Sequence, residues 1–150
     1  MLLAEFIKDA TSALEQLYPA PEARNIILML CEHHLGTKSY THIIEPQYEV
    51  PEEKLQLILE AVQRLAKGEP IQHVIGCAEF FGRSFNVSSS VLIPRPETEI
   101  LVSMAVDEAG RLMKSNDAVR ALDLCTGSGC IAWSIALSVP GSEVVAVDLS

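Results

Sequence analysis

Asp123, Gly127, Gly129 and Asp148 are the residues whose types and spacing could do chemistry on a small ligand. Ala121 to Gly129 reads Ala-Leu-Asp-Leu-Cys-Thr-Gly-Ser-Gly, an apolar run that ends on a carboxylate and opens into a glycine turn. Cys130 to Leu137 then has the composition of a helix. Glycines at such a bend let the chain turn sharply and let its backbone touch a ligand where a Cβ would collide. A second apolar run, Glu143-Val-Val-Ala-Val147, ends on Asp148. An acid about 20 residues after the glycines is placed to accept hydrogen bonds from ribose hydroxyls. The pattern predicts a nucleotide-cofactor site on a strand, a turn, a helix and a second strand.

Gly127, Gly129 and Ala132 also satisfy the Gly-x-Gly-x-x-Ala dinucleotide fingerprint, so spacing alone does not separate NAD from another nucleoside ligand. Charge does. A dinucleotide lays its pyrophosphate on this turn and helix N-terminus, where Asp123 would repel it. S-adenosylmethionine has no phosphate and presents a cationic sulfonium and an amino group, which the acid attracts. The plainer alternative is an ordinary strand-to-helix turn in which Asp123 caps the helix.

Upstream of Asp123-Leu-Cys-Thr-Gly-Ser-Gly-Cys-Ile-Ala132 stand three further motifs, Gly68-Glu-Pro-Ile-Gln-His-Val-Ile-Gly76, Glu79-Phe-Phe-Gly82 and Leu92-Ile-Pro-Arg-Pro-Glu-Thr-Glu99. In this order they resemble the HemK/PrmC family, the release factor glutamine methyltransferases, a branch of the class I S-adenosylmethionine-dependent methyltransferases. The similarity runs from about Pro51 to Ser150, with a weaker helical match before it. It implies an α/β chain. A small helical bundle over 1–68 would recognise the substrate, and a linker with a β-hairpin would occupy 69–91. Residues 92–150 would begin a Rossmann-like domain that binds S-adenosylmethionine. The resemblance carries over Asp123, Cys125, Thr126, Gly127, Ser128, Gly129 and Asp148 as cofactor-binding residues. It makes Arg95, Pro96, Glu97 and Thr98 candidates for shaping the pocket.

The activity the resemblance implies is methyl transfer to the side-chain amide of the glutamine in the Gly-Gly-Gln motif of peptide chain release factors, which would be cytoplasmic partners. The family orients that amide with an Asn-Pro-Pro-Tyr motif, absent from residues 1–150 and expected a few tens of residues past the acid matching Asp148. No catalytic residue is therefore assigned, and this chain alone is expected to be a truncated, inactive part of the enzyme. Cys125 stands where many class I methyltransferases have a further glycine, and is read as a backbone contact to the donor. Glutamine methylation of a ribosomal protein, adenine methylation of nucleic acid and a fragment that only binds protein are the alternatives.

Composition narrows the classes. Of 150 residues, 49% are hydrophobic, enough for a core, while the longest apolar run, Ile26 to Cys31, is far too short to span a bilayer. The net charge of −9 works against a general affinity for phosphate backbones, so no direct nucleic-acid binding is expected. The four cysteines show no Cys-x-x-Cys pair and no histidine at zinc spacing; reduced thiols are expected and a metal site is not.

The elements that must position the loop can be read from periodicity. Leu3, Phe6, Ile7, Ala10, Leu14 and Leu17 predict a helix ended by Tyr18-Pro-Ala-Pro21. Ala23, Ile26, Ile27 and Leu30 predict a second closed by Gly36, with His33 and His34 at its end. A short turn of helix is expected from Ser39 to Ile44. A longer helix follows from Pro51, with Leu55, Ile58, Val62 and Leu65 inward. Val74–Phe81 and Ser84–Val87 predict a hairpin turning at Gly82-Arg83, packed by Phe80, Phe81 and Phe85. Pro96 predicts the start of a helix whose apolar face is Ile100, Leu101, Met104, Ala105 and Leu112, while Cys130 and Trp133 are read as packing the helix after the glycines.

Overall fold

The computed structural model describes residues 1–115 and 118–149 and divides into two compact units, Met1–Ile75 and Gly76–Ser150. Each has its own core.

The first unit is helical because each of its segments buries one apolar stripe. α1 (Leu3–Leu14) turns in Leu3, Phe6, Ile7, Ala10 and Leu14; α2 (Ala20–Leu35) turns in Ala23, Ile26, Ile27, Leu30 and Cys31. α1 ends a turn earlier than its periodicity predicts, leaving Leu17 exposed. The amides of Leu17 and Tyr18 both donate back to the Leu14 carbonyl, and Pro19 has no N–H to extend the ladder. Pro21 sits in the first turn of α2, which closes on left-handed Gly36, with His33 and His34 in its last turn as expected. α3 (Thr41–Ile44) is one turn, and α4 (Glu52–Leu65) opens on two acids and buries Ile58, Ala61, Val62 and Leu65. Fully burying one such side chain contributes about 1.5–3 kcal/mol.

Val74 and Ile75, predicted in a strand, belong instead to the short helix α5 (Ile71–Ile75). The amides of His73 and Val74 both donate to the Pro70 carbonyl and wind the turn. Arg64 then holds it: its guanidinium forks onto Glu69 and reaches the carbonyls of His73 and Val74, each at 3.3 Å. Cationic donors on carbonyls at a helix C-terminus are stabilising there.

The second unit begins with an antiparallel hairpin, β1 (Cys77–Phe80) and β2 (Arg83–Asn86), in the register Phe80 opposite Arg83. Its turn is Phe81-Gly82 rather than Gly82-Arg83. Both turn residues have positive φ, 51° and 68°, as a two-residue type I′ turn requires. α6 (Pro96–Ser115) starts on Pro96 as expected, but its predicted apolar face is mostly exposed: Ile100, Leu101 and Met104 are more than half accessible. The side chains turned inward are Val102 and Ala109, both buried, with Val106, and Ala105 of the predicted face, partly buried beside them.

β3 (Arg120–Leu124), α7 (Cys130–Ser138) and β4 (Glu143–Val147) form a strand–helix–strand unit with the two strands parallel and Leu122 opposite Val145. Phe80 and Phe85 from the hairpin, Val102 from α6 and Cys130 and Ile135 from α7 make the core, so the aromatic residues expected to pack the hairpin do so. Trp133 does not pack as the sequence suggested. It faces outward on α7, 59% accessible, because Cys130, Ala132, Ser134 and Ile135 take the inner face. Leu122, Leu124, Val145 and Val147 lie on an exposed face of the parallel pair.

Candidate functional site

Parallel pairing sets Asp123 opposite Ala146 and Leu124 opposite Val147, so both strands end at one edge. Crevices outside the carboxyl ends of parallel strands are where ligands bind in α/β sheets. The glycine loop bends there through three left-handed residues, Cys125 (φ 60°), Gly127 (φ 56°) and Gly129 (φ 76°). Two bonds secure it: the Thr126 amide donates to the Val147 carbonyl at 3.1 Å, and the Gly129 amide to the Thr126 carbonyl at 2.9 Å.

The two acids hold the loop at different residues. Asp123 Oδ2 accepts from the Thr126 hydroxyl at 2.6 Å and from the Ala132 amide at 3.1 Å, so it braces the loop and satisfies a donor in the first turn of α7. Asp148 Oδ2 accepts the Gly127 amide at 2.7 Å. Asp123, Thr126, Gly127 and Asp148 are thereby brought together; Asp123 and Thr126 are half-buried, Cys125, Gly127 and Asp148 exposed. Gly129 is needed twice over, since besides its φ a Cβ there would stand 3.2 Å from the Trp133 ring. At Gly127 a Cβ would meet no protein atom within 4 Å, so the space beside the loop is open. An open backbone bend between two carboxylates suits a cationic nucleoside better than a pyrophosphate.

Arg95, Pro96 and Glu97, candidates for shaping a pocket, are exposed, and Thr98 donates its amide to the Arg95 carbonyl within the opening turn of α6. The residue of that motif tied to another is Glu99, which sequence reasoning did not single out. Its Oε1 accepts the Phe81 amide at 2.8 Å, joining the Arg-Pro-Glu-Thr-Glu and Glu-Phe-Phe-Gly segments. An acid in a first turn reads as a complement to the helix dipole, so the only available signal was the bulky residue before Gly82 that would need an anchor.

Residues 5–76 match the family model described as the PrmC N-terminal domain. The chain is 38% identical over 138 residues to the release factor glutamine methyltransferase of Bacteroides thetaiotaomicron, covering 92% of this chain and 48% of the relative. The protein of the same name from Haemophilus influenzae is 39% identical over 155 residues, covering 97% and 53%; that from Bordetella pertussis is 42% identical over 138 residues, covering 88% and 46%. The chain thus spans about half the length of the curated relatives it matches. With the helical unit inside the family model and the matches running on through the glycine loop, residues 5–76 belong to the PrmC N-terminal domain family and the chain as a whole is similar to release factor glutamine methyltransferases.

Proposed function

We propose that the complete protein transfers a methyl group from S-adenosylmethionine to the side-chain amide nitrogen of the glutamine in the Gly-Gly-Gln motif of peptide chain release factors, in the cytoplasm. The observation that carries this reading is the convergence of Asp123 and Asp148 on one glycine bend in a chain whose relatives bear that name. Residues 92–150 are the opening of a Rossmann-like donor-binding domain, residues 69–91 a linking hairpin, and the bundle over 1–68 serves substrate recognition.

In this reading Cys125, Thr126, Gly127, Ser128 and Gly129 offer backbone to the donor, Asp148 takes the ribose hydroxyls, and Asp123 holds the loop in shape while supplying negative charge near the sulfonium. The bound donor supplies an electrophilic methyl group. An amide nitrogen is a weak nucleophile because its lone pair is delocalised, so the enzyme gains rate mainly by orienting it against that methyl. The groups that hold the substrate amide are assigned to an Asn-Pro-Pro-Tyr motif outside this chain. Arg95, Pro96, Glu97 and Thr98 shape the pocket from the start of α6.

The test is a radiolabelled methyl assay on the complete protein, with release factor, ribosomal protein and DNA offered in parallel. Label on the release factor, lost when its Gly-Gly-Gln glutamine is changed to alanine, is the expected result. Label on ribosomal protein or DNA alone would replace this substrate with another.

A further inference from the structure

The register of the hairpin fixes which of its backbone groups are used within it. A two-residue turn makes Phe80 and Arg83 a pair that exchanges both hydrogen bonds, and the bond from the Val87 amide to the Gly76 carbonyl at 3.0 Å continues the alternation. Phe85 therefore bonds to Ala78, whereas Ser84 and Asn86 stand at the intervening positions with N–H and C=O directed away from β1. The same logic turns the N–H and C=O of Glu79 away from β2 on the other edge.

Along the Ser84–Asn86 edge runs a cleft of about 440 Å³. Its walls are four consecutive residues of β2 with none of β1 on one side, and Trp133 and Leu137 of α7 on the other. Both α7 side chains are more than half accessible. Ser128 of the glycine loop also lines it, and Arg83 is the charged member of the lining among the described residues. Its guanidinium also donates to the Phe81 carbonyl at 3.1 Å and lies 3.4 Å from the Ser138 hydroxyl.

Backbone donors and acceptors repeating along a strand edge are matched by another extended chain, which adds to the sheet with side chains alternating between the walls. We infer that the cleft between β2 and α7 seats an extended segment of the protein substrate as a third strand beside β2. Its backbone pairs with Ser84 and Asn86, an apolar side chain lies on Trp133 and Leu137, and a carboxylate or carboxamide meets Arg83. Because Ser128 of the glycine loop is part of the lining, a segment lying in the cleft passes beside the donor loop, so substrate binding and donor binding share one unit. This inference rests on the proposed methylation of a release factor.

Proline tests it, since it removes an amide donor and is accepted on a sheet edge. Ser84→Pro and Asn86→Pro in the complete enzyme are each expected to raise KM for the release factor about threefold to tenfold, the value of one backbone hydrogen bond, with kcat and donor affinity held. Glu79→Pro makes the same change on the opposite edge and leaves KM unaltered. Hydrogen exchange on the wild-type enzyme supplies a second readout that does not depend on the variants folding: the Ser84 and Asn86 amides slow when release factor is added. Unchanged KM in folded proline variants, or unchanged exchange at both amides, overturns the cleft assignment while methylation itself continues. A wild-type enzyme that leaves release factor unlabelled overturns the proposed function instead.

Discussion

Cys125 and Phe81 are the non-glycine residues with positive φ among the described residues, 60° and 51°, and each sits at a tight bend. A side chain in the left-handed region costs roughly 1–2 kcal/mol. Cys125→Gly removes that cost and adds about 0.5–1 kcal/mol of backbone entropy to the unfolded state, so a gain of up to about 1.5 kcal/mol is expected in urea unfolding. Cys125→Val, branched at Cβ, is expected to lose more than the glycine variant gains. Asp123 poses a separate question, since bracing the loop and carrying charge are different contributions. Asp123→Asn keeps a carbonyl oxygen for Thr126 and Ala132 but removes the charge; it is expected to leave stability within about 1 kcal/mol and to weaken S-adenosylmethionine binding about tenfold by calorimetry. Asp123→Ala is expected to lower both. Equal donor binding by wild type and the asparagine variant would reduce Asp123 to a cap. The acids, the glycines and their spacing were legible in the sequence because they are residue types with few other uses in that order. The left-handed turn at Phe81 was not, since nothing in a phenylalanine announces its φ.

At the scale of elements, Glu99 ties the hairpin turn to α6. The Phe81 amide has its carboxylate as acceptor at 2.8 Å, and the same residue's carbonyl accepts from Arg83. Losing a charged acceptor from a partly buried donor costs about 1–3 kcal/mol. Glu99→Ala is accordingly expected to lower the unfolding free energy of the second unit in urea by that amount, whereas Glu99→Gln, which retains a carbonyl oxygen, loses about 1 kcal/mol or less. Equal losses in both would mean that the negative charge, not the bond to Phe81, is what α6 requires. Periodicity found α1, α2 and α4 because one stripe in each dominates, but it misread α6, which carries two stripes. Ile100, Leu101 and Met104 are the larger residues, yet Val102, Ala105, Val106 and Ala109 are the ones that pack. The strand expected at Val74 failed for a local reason: Pro70 offers its carbonyl to the amides of His73 and Val74, which closes a turn of helix where extended backbone was expected.

At the scale of the molecule, each unit holds its own buried cluster, and that of the first runs from Leu3 to Val74 without drawing on residues beyond Ile75. Helical domains of this size can fold alone when the core is continuous. A polypeptide of residues 1–75 is therefore expected to show helical circular dichroism and a cooperative thermal transition; a broad, non-cooperative loss of signal would mean that this core is incomplete. The same polypeptide carries a titration that reports on it. Cys31 is 1% accessible among the apolar residues of α1, α2 and α4, and burial pushes its thiol from 9.0 up to about 12. In the unfolded chain the thiol ionises first, so the stability it contributes is full below pH 9 and is lost as pH rises from 9 towards 12. Unfolding of the wild-type polypeptide should thus become easier between pH 8 and pH 11 by more than that of Cys31→Ala, the shared titration of lysines and tyrosines cancelling in the difference. Alkylation at pH 8 provides the matching kinetic measure: among the cysteines of the whole chain, exposed Cys125 is expected to label rapidly, and Cys31 only as fast as its unit opens. Should Cys31 label as readily as Cys125 in the folded chain, the first core is not closed around it, and the independence of the two units fails with it.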